Sequence, residues 1–238
     1  MSGATAKVDE TDVVKQLTVH HFGPDPAHVG GMASVIRVLT EQRVGGDVVV
    51  HHPTWRPNSR FASAGLALVA AIKILRMKKS DIAHVHIAER GSVVREGALL
   101  RLARWRGVVT ATTIHGAAFL PFARRHPRLV SFVLRGARLI TCLDQAVVDF
   151  ARQSAPLART ELVPNPVAMD DGSPGADQTE EVVVFAGEIG TRKGADVLCR
   201  AWPQVAASRP EARCIMVGPV RDFLVPQTEQ KTAYEILL

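Results

Sequence analysis

Short apolar runs rich in Val and Ile alternate along this chain with longer segments whose apolar residues recur at helical spacing. The runs Leu17 to His21, Val48 to His51, Ile82 to His86, Val108 to His115, Arg138 to Cys142 and Thr160 to Val163 predict strands. Between them, Met32 to Gln42, Arg60 to Lys79, Ser92 to Trp105, Phe122 to Arg135 and Gln145 to Gln153 predict helices. Strict strand and helix alternation implies an α/β fold, a parallel sheet covered by helices on both faces. The pattern breaks over Pro164 to Glu180, where Pro, Gly and Asp mark a linker. It then resumes with Val182 to Phe185, Ala195 to Ala207 and Arg213 to Val217, the opening strand, helix and strand of a second domain. The chain thus divides into a polar stretch over 1–16, a first domain over 17–163, the linker over 164–180 and a partial second domain over 181–238. From Glu181 onward only 58 residues remain, which is thin for a domain with its own parallel sheet.

Composition narrows the class. At 238 residues, with 47% hydrophobic and 22% charged residues, the chain has enough apolar material for packed cores. Cys142, Cys199 and Cys214 are scattered and odd in number, without a C-x-x-C pair, which argues against a disulfide framework and a cysteine zinc site. A reducing cytoplasm is the expected compartment. The first 16 residues are polar and lack the apolar core of a signal peptide. The longest greasy stretch, Ala62 to Leu75, falls short of the roughly 20 residues a bilayer span needs, so it reads as a buried or interfacial helix.

Charge is regional. Arg60 to Arg138 holds 15 Lys or Arg against three Asp or Glu, while the net charge of the whole chain is only +6. Lys73, Arg76, Lys78 and Lys79 follow the apolar helix, and Arg95, Arg101, Arg104 and Arg106 accompany Leu99, Leu100, Leu102 and Trp105. Basic amphipathic helices suit an anionic membrane surface, and equally they can be the solvated face of an arginine-rich protein. Nucleic acid is not the expected partner, because no aromatic-interleaved or helix-turn-helix pattern accompanies the charge.

Ligands of open parallel sheets sit beyond the carboxyl ends of the strands. There the sequence places His20 and His21 after the first strand, His84 and His86 after the third, and His115 with Gly116 after the fourth. No two histidines have the i, i+4 spacing of a helical ligand pair and no carboxylate triad joins them, so no metal is expected. For His20, His21, His84 and His86 the expected state is a half-buried ring satisfied by backbone. His115 stands apart because Gly116 and Ala117 leave room beside it for a sugar hydroxyl or phosphate.

Two glycine turns complete the set. Gly30 and Gly31 open the helical run Met32, Val35, Ile36 and Leu39, so that backbone N–H groups can face a ligand. This is not G-x-G-x-x-G, and no acidic residue closes the second strand to hold a ribose, which argues against a nicotinamide cofactor. In V-V-V-F-A-G-E-I-G-T-R-K-G-A-D-V-L, Val182 to Leu198, a strand breaks at Gly187 and Gly190, exposes Arg192 and Lys193, and passes through Gly194 into a helix. Such a turn suits an anion, although a bare strand-to-helix turn has the same shape.

In order and spacing, G-G-M-A-S-V-I-R (30–37), D-I-A-H-V-H (81–86), T-I-H-G (113–116), V-P-N-P-V (163–167) and F-A-G-E-I-G-T-R-K-G-A-D-V-L (185–198) resemble glycosyltransferase family 4. The resemblance covers about Leu17 to Gly218. It implies a GT-B fold of two Rossmann-like domains, the first holding mainly acceptor and the second mainly donor. It further implies retaining transfer of a hexose from a nucleoside-diphosphate sugar to a glycolipid or polysaccharide precursor, without a metal, at the inner face of the membrane. On this chain it puts Gly30 and Gly31 near the donor phosphates, His115 close to the transferred sugar, and Lys193 on the diphosphate. Asn165 and Glu188 are further candidate positions. The family commonly has an arginine where Glu188 stands, and the neighbouring Arg192 is the expected substitute, its guanidinium fork suiting a diphosphate. The family's E-x7-E segment has no counterpart among these residues, since Glu229 and Glu235 lack that spacing. The resemblance therefore implies an incomplete donor site, weak or absent turnover by this chain alone, and a complementing C-terminal fragment; the alternative is an acceptor- or membrane-binding module without turnover.

Overall fold

A computed structural model describes residues 16–27, 30–41, 47–56, 59–167 and 181–220. Most of the polar N-terminal stretch, most of the linker, and Glu229 and Glu235 lie outside the described residues. The chain separates into two compact units, Met1–Met169 and Asp170–Leu238.

The first unit is a six-stranded parallel sheet in the order β2-β1-β3-β4-β5-β6. Its strands are β1 (Thr18–Pro24), β2 (Val48–Trp55), β3 (Ile82–Ile87), β4 (Val109–Ile114), β5 (Leu139–Cys142) and β6 (Arg159–Leu162). Between them run α1 (Gly31–Glu41), α2 (Arg60–Arg76), α3 (Gly91–Trp105), α4 (Phe119–Arg125), α5 (Pro127–Leu134) and α6 (Gln145–Ser154). This is a Rossmann-like α/β unit.

Most element positions follow the apolar pattern, and three differences have physical causes. β1 continues three residues past His21 because its ladder to β2 extends through Phe22, Gly23 and Pro24. The segment read as one helix over Phe122 to Arg135 is two, α4 and α5, since the residue before Pro127 is pushed out of the helical region; His126 has φ −129° and ψ 52°. α2 stops at Arg76, where Met77 turns to extended backbone with ψ 147°.

Side chains paired in register share a face of the sheet, and the two faces differ sharply. Phe22, Ala83, Val85, Ile87, Ile114 and Ile140 point to one face, where Ile74 of α2, Leu100 of α3, Leu134 of α5 and Val148 of α6 close a single core. The opposite face carries His21, His51, His84, His86, Thr113 and Thr141. There α1 packs over β1 and β2, and a side chain on Gly23 would collide with Ile36 of α1. Right-handed crossovers explain the asymmetry: only the step from β1 to β2 runs against the direction of the others, so only its helix falls on this face. Helix coverage of both faces, expected from the alternation, therefore holds over β1 and β2 among the described residues.

Helix ends are fixed locally. The Asp144 carboxylate accepts the Val147 N–H at 2.9 Å and starts α6, as Ser59 Oγ accepts the Ala62 N–H at 3.1 Å and starts α2. Asp144→Ala is expected to lower unfolding stability by about 1 kcal/mol, read from urea titration. An unchanged midpoint would remove the cap from the account.

The second unit has β7 (Val182–Ala186) parallel to β8 (Arg213–Val217), joined through a 3₁₀ turn at Thr191–Lys193 and α7 (Ala195–Ser208). Its small core joins Ile189 and Ala195 with Phe185, Cys199 and Met216. Val184 is 61% exposed, so this pair of strands leaves apolar surface open among the described residues.

Candidate functional site

From β1 the chain steps outward to β2, and from β3 it proceeds the other way, which puts the topological switch point between β1 and β3. The crevice at the carboxyl ends of these strands is where open α/β sheets bind ligands. Gly30 and Gly31 enter α1 on one side of it. Both are exposed, and a Cβ on either would meet nothing within 4 Å, so the backbone there is open to close approach. On the other side, β3 is followed by Ala88, Glu89 and Arg90, and β4 by His115 and Gly116.

Gly116 has φ 90°, and any Cβ there would run into Glu89 Oε2. The positive φ favours glycine there, and the space a side chain would take is filled by the end of the Glu89 side chain. Glu89 Oε2 is buried without a hydrogen-bond partner among the described residues. Arg90 follows with φ 57° and ψ −122°, a conformation rare for a residue with a side chain. An unsatisfied buried carboxylate oxygen and a strained backbone at one strand end are features of binding sites. Sequence reasoning missed Glu89; its signal is a carboxylate placed two residues after a strand that borders the switch point.

Beneath the crevice the histidines form an array. His21 Nδ1 lies 2.9 Å from His86 Nε2, and His86 Nδ1 lies 3.0 Å from His115 Nε2. His84 Nε2 meets Thr113 Oγ1 at 2.7 Å, and Thr113 Oγ1 meets Thr141 Oγ1 at 2.7 Å. On the opposite face, His20 Nδ1 faces His52 Nε2 at 2.9 Å. The expectation of rings satisfied by backbone is corrected here: the imidazoles bond to one another and to threonine. His20, His21 and His84 also sit within their strands rather than at the ends. Only His115 stands past the end of its strand, one residue after β4.

Burial holds these rings neutral. Desolvation lowers His21 to about 4 and His115 to about 4, against an ordinary 6.5. Desolvation, then the neighbouring His21 and His115, lowers His84 to about 3, and His86 falls well below the usual value for the same reasons. A neutral imidazole has one N–H and one lone pair, so the line His21, His86, His115 carries a single direction of donation at a time.

In the second unit, Gly194 adopts the left-handed conformation at φ 78° between the 3₁₀ turn and α7. Lys193 is exposed in that turn. Arg192 forks onto Glu188, with Nε to Oε1 at 3.2 Å and Nη2 to Oε2 at 3.3 Å. A diphosphate would have to draw Arg192 away from that carboxylate. Asn165 is exposed three residues beyond β6, away from the strand ends that flank the switch point.

No family model matches this sequence, and no curated protein is significantly similar to it. Function therefore rests on the geometry of the strand-end crevice.

Proposed function

We propose that this chain is a hexosyltransferase of the GT-B type, retaining and dependent on a nucleoside-diphosphate sugar, with a glycolipid or polysaccharide precursor as acceptor. The observation that carries the reading is the switch point between β1 and β3, where Glu89, with a buried unpartnered carboxylate oxygen, follows β3, His115 and Gly116 follow β4, and the open glycines Gly30 and Gly31 start α1. Carboxylates and neutral imidazoles accept and donate to sugar hydroxyls, and open glycine amides suit phosphate oxygens. In the second unit, Lys193 offers a point charge to the diphosphate, whose charge grows as the sugar leaves. The experiment is incubation of the protein with labelled nucleoside-diphosphate hexoses and a lipid extract. The expected product is a labelled glycolipid with retained anomeric configuration, formed slowly by this chain alone, as the incomplete donor site implied by the resemblance requires. Saturable acceptor binding without any labelled product would favour a binding module instead.

Membrane association at the inner face belongs to the same reading, and α2 supports it. Phe61, Leu68, Ile72 and Leu75 recur at helical spacing on its outer side, with Phe61 93% and Leu68 64% exposed. Lys73, Arg76, Lys78 and Lys79 are exposed at its end. By contrast the cations of α3 are partly engaged within the protein: Arg95 pairs with Glu96 at 2.8 Å, and Arg101 lies 4.3 Å over the Phe132 ring. No helix among the described residues is long and apolar enough to cross a membrane. An interfacial helix of this kind gains from apolar insertion and about 1 kcal/mol per cation near an anionic surface. Flotation with anionic liposomes is expected for the parent protein and is expected to be lost in Phe61→Asp/Leu68→Asp. No flotation of the parent protein would refute the α2 assignment.

A further inference from the structure

We propose that His21, His84 and His86 form a binding site for one divalent transition-metal ion, with Zn2+ the expected occupant. Each ring offers one nitrogen, and these three atoms lie within 4.8 Å of one another. The absence of helical i, i+4 spacing in the sequence does not bear on this site, because on a strand the residues that share a face are i and i+2. His84 and His86 have that spacing on β3, and His21 is the register neighbour of His84 on β1.

Three observations support a metal rather than a purely packed cluster. First, the spacing is close to a ligand set. Zn–N bonds of about 2.0–2.1 Å in a tetrahedron need nitrogens roughly 3.3 Å apart, so the 2.9 Å between His21 Nδ1 and His86 Nε2 requires only a small opening, while the His84 ring, stacked on His86 at 4.5 Å between centroids, must turn to aim a nitrogen at the same ion. Second, outer ring nitrogens are already held. His84 Nε2 lies on Thr113 Oγ1 and His86 Nδ1 on His115 Nε2, the arrangement that fixes ring orientation and leaves the other nitrogen to bind a metal. Third, His51, opposite His21 in the β1 and β2 register, keeps a buried Nε2 without a hydrogen-bond partner among the described residues. That face of the sheet thus holds, beside His21, a further imidazole nitrogen whose hydrogen-bonding capacity is unfilled among the described residues.

Three imidazoles without a carboxylate or thiolate select ions of borderline softness, Zn2+, Co2+, Ni2+ or Cu2+, over Mg2+ or Ca2+. His21 and His86 are buried and His84 is half-buried, and water or an anionic oxygen would take the fourth position of the tetrahedron. The inference goes beyond the sugar-transfer reading and does not depend on it.

The test uses the whole chain without a histidine tag, stripped with a chelator and titrated with Zn2+ against a chromophoric competitor, with a parallel Co2+ titration followed by visible absorption. The expected result is one saturable equivalent, a tetrahedral Co2+ spectrum, and no competition from Mg2+. His84→Gln is expected to weaken binding at least 10-fold, and Thr113→Val, which frees the outer nitrogen of His84, by about 10-fold. His20→Gln and His52→Gln, on the opposite face, are expected to leave affinity unchanged. Absence of saturable binding by the folded parent protein, an octahedral Co2+ spectrum, or parent-like affinity in Thr113→Val together with His84→Gln would overturn the site. Should His84→Gln fail to fold, the parent spectrum and Thr113→Val decide.

Discussion

Acidifying the metal-free protein from pH 7 to pH 4.5 is expected to remove most of the stability of the first unit. His21 and His115 titrate near 4 in the folded chain and near 6.5 when unfolded. Between those values the unfolded chain binds the protons and the folded chain does not, so stability rises with pH across that window. The contribution is fully present above pH 6.5 and is lost as pH falls toward about 4. A displacement of this size corresponds to about 3 kcal/mol for each ring. Two such rings reach a large share of the 5–15 kcal/mol that typically holds a domain. Urea midpoints measured at pH 7.5, 6.5, 5.5 and 4.5 should fall steeply above pH 5, before ordinary carboxylates contribute, and His115→Gln should flatten the slope. A midpoint independent of pH between 6.5 and 5 would mean that the array is solvated or opens readily.

Lys193→Ala is expected to lower turnover of the nucleoside-diphosphate sugar by about 10²–10³-fold, the usual cost of removing one group that faces charge developing in a transition state. Glu89→Gln is expected to act differently. It keeps the size of the side chain beside Gly116 but replaces one carboxylate oxygen, and the negative charge, by an amide NH2 donor, so KM for the sugar substrate should rise while the fold is retained. Single-turnover release of the nucleoside diphosphate separates the two effects. Parent-like rates in Lys193→Ala would leave the basic turn of the second unit as an ordinary strand-to-helix connection.

The sheet was legible because its signals are local. Runs such as I-A-H-V-H and T-A-T-T-I-H are β-branched and bounded by polar turns, and the helices between them carry apolar residues at helical spacing. The break at Pro127 was equally visible in the sequence, and reading α4 and α5 as one helix underweighted what proline does to the residue before it. His115 was found as a strand-end residue next to a glycine. Glu89 was not, because its one sequence signal, a carboxylate two residues after β3, gains meaning only once the strand order puts β3 at the switch point and Gly116 beside it. The histidine array escaped for a related reason: its partners are 29 and 65 residues apart, and only the register of β1, β3 and β4 brings them onto one face. Arg192 shows the converse, a residue correctly placed in the basic turn whose fork is occupied by Glu188 four residues earlier.

The most direct measurement is a backbone amide NMR titration of the protein with a nucleoside-diphosphate hexose. Saturable shifts at Gly30, Gly31, Glu89 and Gly116, weakened in Glu89→Gln, are the result expected if the switch-point crevice handles the sugar nucleotide. Saturable binding that leaves those four amides unmoved would contradict it.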